Sequence, residues 1–216
     1  MNPGQSTSTK SNEGEGRLPT WPLPNQRRLQ NGLLVLVSEL PHVHTAAVGL
    51  YARAGSRYET REQSGLSHLV EHVLFRGCDR YPSVGALNEA IEDVAVEVGG
   101  STGREFCAYE AVLDPRHVRA VIDVMGAMFV SPSFADVELE RAIILEELRD
   151  ELDERGGDLD VDNLAKSRLF PRDALGRKIG GDARRLDTFD ADSCRAWFEA
   201  HYGAENLVLV VAGPVE

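Results

Sequence analysis

The longest apolar runs, residues 33–37 (LLVLV) and 207–212 (LVLVVA), are strand-length and lie near the two ends of the 216-residue chain. Neither can cross a bilayer, so each reads as a β-strand buried in a core. Turn signals bound them: Asn31-Gly32 stands before the first and Gly213-Pro214 after the second. Between them the periodicity changes. Leu66, Leu69, Val70, Val73 and Leu74 recur at the three-and-four spacing of an amphipathic helix over 62–75, which Arg76 and Gly77 end.

The remaining elements follow from the same signals. A strand is expected over 45–52, antiparallel to and beside the 33–37 strand, with further strands over 94–101 and 105–113. Helices are expected over 83–93 with Ser83 as N-cap, 115–130 with Pro115 in the first turn, 135–153, 159–169 and 190–201. Strands first, helices in the middle and a strand last imply an α+β fold, a largely antiparallel sheet with helices packed on it. Residues 1–25, rich in Ser, Thr, Gly, Asn and Pro, read as a mobile tail, and 26–216 as one domain.

A formal net charge of −12 argues against a nucleic-acid partner, which clustered Lys and Arg would serve. Three cysteines with no CxxC pair indicate neither a disulfide framework nor a thiolate zinc site. Glu13 and Glu15 are residues that a leader peptide avoids. The expectation is a soluble cytoplasmic protein that does not engage a membrane.

The candidate chemistry lies at His68-Leu69-Val70-Glu71-His72, where two imidazoles four residues apart share one helix face. Such a pair also occurs on ordinary solvated helix faces, so the rest of the chain has to decide. A catalytic zinc needs a third protein ligand and an open position for water. On a wheel of about 100° per residue, Glu147 falls between Ile143 and Ile144, while Glu146 falls on the outer side. An inward carboxylate is costly unless a cation meets it. Glu140 and Glu151 share that face as supporting candidates. His42, His44, His117 and His201 read as surface or structural residues, Cys78 as a packing residue, and Trp197 with Phe198 as helix packing.

HLVEH resembles the inverted zinc box of the pitrilysin and insulinase family of metallopeptidases. ERAIILEE, LQNGLLVLVSELP, AGSRYE, GLSHLVEHVLFRG, LGRKIGG and HYGAENLVLVVAG are similar to family stretches, covering nearly everything from residue 28 onward. The resemblance implies Zn2+ held by His68, His72 and Glu147, with Glu71 as general base and Glu140 as a supporting carboxylate. It implies one half of a two-halved, mitochondrial-processing-peptidase-like endopeptidase acting on peptides. A second subunit of similar fold, or less simply another copy of this chain, would supply the other half. A non-catalytic assembly or peptide-presenting subunit of the same fold is the competing expectation. Family members bind an extended peptide along a sheet edge, here 96–102. This chain departs there, carrying Gly99-Gly100 in place of the family's Asn-Ala, which removes a side-chain amide and loosens the strand.

Overall fold

The computed structural model describes residues 23–95 and 97–215. The expected tail, up to residue 22, lies outside them, as does Val96 of the expected peptide-binding edge. Among the described residues six strands form one sheet: β1 (Asn25–Arg28), β2 (Leu34–Glu39), β3 (Ala46–Ala52), β4 (Val98–Thr102), β5 (Cys107–Leu113) and β6 (Leu207–Gly213). Seven α-helices accompany it: α1 (Leu66–Leu74), α2 (Val84–Glu92), α3 (Val118–Val130), α4 (Val137–Asp150), α5 (Val161–Leu169), α6 (Ala183–Leu186) and α7 (Ala191–His201). Ser83 caps α2 as expected, its hydroxyl accepting from the Ala86 amide at 3.2 Å.

The strand order is β1-β2-β6-β3-β5-β4. All pairings are antiparallel except β2 with β6, so the α+β expectation holds with one parallel pair. The expected adjacency of the 33–37 and 45–52 strands does not hold, because β6 inserts between them. Residues 207–212 are apolar at every position and suit a strand paired on both sides. A strand entering from the far end of the chain leaves no local signal that it will sit there. β2 is half-buried rather than buried, since its outer neighbour β1 is fully exposed.

The helices cover one face of the sheet. Cys107, Tyr109, Ala111 and Leu113 of β5 face the core while Glu110 and Val112 face outward, the alternation of a half-covered sheet. The expected strand start at residue 94 is corrected to Val98. Val94 and Ala95 instead donate their amides back to the Ile91 carbonyl, closing the turn that ends α2. β4 is the last strand of the sheet, and its outer side has no paired strand among the described residues.

α1 is held unusually tightly for so short a helix: seven of its nine residues are buried. Its N-terminus has no side-chain cap of its own, Gly65 standing there with φ 97°. Glu59, itself buried, fills the role from outside the helix. It accepts from the amides of Gly65 at 3.0 Å and Ser67 at 2.8 Å, placing a carboxylate at the positive end of the helix. The Gly180-Gly181 pair presses against the same end. A Cβ on Gly181 would stand 2.3 Å from the Gly65 Cα, so backbone meets backbone with no space for a side chain. AGSRYE, GLSHLVEH and LGRKIGG thus meet around one helix start, where Arg177 also donates to the Glu59 carbonyl.

Candidate metal centre

α1 carries His68, Glu71 and His72 toward α4, which crosses beside it. The two Nε2 atoms lie 3.1 Å apart. His72 Nδ1 sits 2.9 Å from Glu140 Oε2, so the ring proton is assigned to Nδ1 and the Nε2 lone pair turns toward His68. Glu140 is almost fully buried, and its other oxygen accepts from Arg76. Arg76 therefore offsets the buried carboxylate while Glu140 orients the ring.

Glu147 Oε2 stands 3.8 Å from His68 Nε2 and 3.9 Å from His72 Nε2. Its side chain is 48% exposed, so it does not face the core as the wheel predicted. Ile144 and Leu148 take the inward positions, and Glu147 stands at the rim of the buried face, turned to the histidines. A rim position is the one that leaves room for water and substrate. Glu151 is corrected as a supporting group: it pairs with Lys178 at 2.6 Å and contacts neither histidine.

Glu71 is buried, with Oε2 4.0 Å from His68 Nε2 and 3.2 Å from the Thr102 hydroxyl that donates to it. Burial pushes its carboxyl above the ordinary range, against the pull of His72 and the Thr102 bond, and Glu147 adds a further push upward. Burial, then the neighbouring His72, lowers His68 to about 4, so its imidazole is neutral and its lone pair available at pH 7.

These residues fit a zinc ion. Two imidazole lone pairs turned on each other at 3.1 Å repel unless a cation or a proton is shared between them. The triangle formed by the two Nε2 atoms and Glu147 Oε2 has a point about 2.1 Å from all three corners, the zinc–nitrogen and zinc–oxygen bond length. Depressions flank the cluster on both sides. One of about 420 Å³ is lined by His68, Glu147, Leu148, Asp162 and Gly180, and one of about 410 Å³ runs along β4 past Glu71, His72, Phe75 and Gly100.

Residues 34–182 match the model of the insulinase family of peptidases, peptidase family M16. The chain belongs to that family. An uncharacterized zinc protease of Streptomyces coelicolor is 33% identical over 97% of this chain and 44% of its own length. A probable mitochondrial-processing peptidase subunit beta of Arabidopsis thaliana is 32% identical over 87% of this chain and 35% of its own. The chain thus spans less than half the length of these relatives. Among solved structures, the M16 inactive domain from Pseudomonas fluorescens superposes with a TM-score of 0.78 at 18% identity, covering 89% of this chain and 47% of that one. That likeness concerns the M16 fold alone; what distinguishes a chain within the family is the side chains at the site.

The structure brings together His68, Glu71, His72, Glu140 and Glu147, the five candidates that the sequence offers. Glu59, Arg76 as the partner of Glu140, and Thr102 were not among those candidates. Glu59 had a signal, being the last residue of AGSRYE. His42 and His44 are exposed, Cys78 and Trp197 are buried, and the His201 ring lies tilted against Trp197, as their sequence context implied.

Proposed function

We propose that this chain is a zinc-dependent endopeptidase subunit that hydrolyses peptide bonds of small or unfolded peptides together with a second, homologous subunit. One observation carries the reading: two imidazoles and the Glu147 carboxylate converge at metal-binding spacing, with the separately held Glu71 beside them. Bound zinc would supply Lewis acidity, polarising a carbonyl and acidifying water toward a pKa of about 7. His68, His72 and Glu147 would hold the ion. Glu71 takes the proton from the attacking water and returns it to the departing amine, a role that suits a carboxyl raised by burial. The edge of β4, unpaired among the described residues, offers backbone groups to an extended peptide, and Gly99 leaves its own face of the strand open.

The relatives support the pairing, since the Arabidopsis protein is named as a subunit and this chain covers only part of its length. Elemental analysis should find one zinc per chain, and less in Glu147→Gln. A quenched peptide library, with and without candidate partner chains, should be cleaved by the wild type and not by Glu71→Gln. An active monomer on size exclusion would remove the partner from the proposal. Freshly purified protein free of zinc would favour the non-catalytic role, for which the inactive domain of the same fold is a precedent.

A further inference from the structure

The chain carries a formal net charge of −12, yet four arginines line one depression. It measures about 420 Å³, a size typical of small-ligand pockets, and is separate from the two beside the histidines. Arg61 comes from the loop before α1, Arg172 and Arg177 from the stretch between α5 and α6, and Arg185 from α6 itself. Among the described residues none of the four makes an ion pair, whereas Arg57, Arg76, Arg80 and Arg104 each hold a carboxylate. The two acids in the lining are engaged by backbone. Asp173 Oδ1 accepts the Leu175 amide and Asp182 Oδ1 the Arg184 amide, both at 2.9 Å, so each carboxylate closes the first turn of a short helix. Glu62 lies near enough for Arg185 and Arg61 to help lower its carboxyl, after hydrogen bonds to its own amide and to Thr60, but among the described residues it makes no ion pair with either. Arg177 is half-buried and donates to the Glu59 carbonyl, so folding itself commits one guanidinium to the depression. Like charges gathered on a concave surface repel one another unless an anion stands among them.

We propose that Arg61, Arg172, Arg177 and Arg185 form a site for a compact multivalent oxyanion, a diphosphate or a small polycarboxylate. Guanidinium groups are planar forks that match the paired oxygens of either class, and the depression has room for more than a single tetrahedral anion. The site does not depend on the peptidase reading. It adjoins the metal centre through one stretch of chain: Gly176, Arg177 and Asp182 line this depression, while Ile179 and Gly180 line the one beside His68. An anion held here ties the loop before α1 to the stretch 172–185.

The test is calorimetric titration of the metal-free full chain with inorganic diphosphate and, separately, with citrate; metal-free protein keeps chelation of zinc out of the signal. At a constant ionic strength of about 0.15 M, one anion should bind per chain with a Kd below about 1 mM. Replacing two exposed members of the set, Arg172→Ala with Arg185→Ala, should weaken binding about tenfold or more. Arg177 stays in place in that variant because it also holds the Glu59 carbonyl. Arg119→Ala with Arg155→Ala removes the same charge from exposed positions outside the depression and should leave the affinity within about twofold. Binding of diphosphate alone assigns a phosphoryl ligand, binding of citrate alone a carboxylate one, and binding of both a site that reads charge and fork geometry only. Binding of neither, or an equal loss in the two double variants, would overturn the site. Hydrogen exchange supplies a second readout: the bound anion should protect amides in 61–64 and 172–185, and protection confined to other segments would overturn the assignment to these arginines.

Discussion

Glu140 and Glu147 lie two turns apart on one helix, yet their surroundings are opposite. Glu140 is 3% exposed and bound to both Arg76 and His72, whereas the Glu147 side chain is 48% exposed and faces the two Nε2 atoms at 3.8 and 3.9 Å. The buried end of α4 thus builds the site and the open end completes it. Orientation of a ligand requires a dry, fully paired group; metal exchange and substrate entry require one that water can reach.

The largest effect that separates the two ends should come from Glu140→Ala. It strands Arg76 and frees the His72 ring, and removing one partner of a buried pair costs about 3 kcal/mol or more. Urea melts of the metal-free protein measure this, and unchanged stability would erase the distinction between the ends. The milder Glu140→Gln keeps an acceptor for His72 and should lower zinc affinity about tenfold to a hundredfold by competition with a chelator.

His68 sharpens the comparison from the other helix. Its Nδ1 is buried without a partner among the described residues, unlike that of His72. With its pKa lowered to about 4, an NMR titration of the metal-free protein should show His68 neutral through pH 5. The unfolded chain takes up that proton first, near pH 6.5, so this group withdraws stability as pH falls from 6.5 through 4 and has no effect above. A midpoint at 6.5 would mean the ring is solvated. The smallest effect is expected of Glu147→Gln on metal-free stability, within about 0.5 kcal/mol. A large loss there would show that the open end is structural after all.

Much of the site was legible because its signals are local. His68 and His72 share a face through helical periodicity alone, and the inverted box identified the partners of that face. Six of the helices were legible for the same reason, with errors of a few residues at the ends of α1 and α4, whereas α6, a single turn, had no periodicity to announce it. Gly99-Gly100 was visible but could be read only as flexibility, since a glycine declares no reason for its missing side chain.

The sequence by itself determined most of the element types, the α+β class, the histidine pair on one helix face and a candidate distal carboxylate, because period, caps and residue chemistry are properties of short segments. Tertiary structure alone decided that β6 parts β2 from β3 and that Glu59 caps α1 from outside. It also decided that Glu147 stands at a rim and that the Glu71 carboxylate lies against β4 at Gly100. Those outcomes depend on which distant segments share a volume, and the packing of one chain against itself is not written in the spacing of any stretch of it.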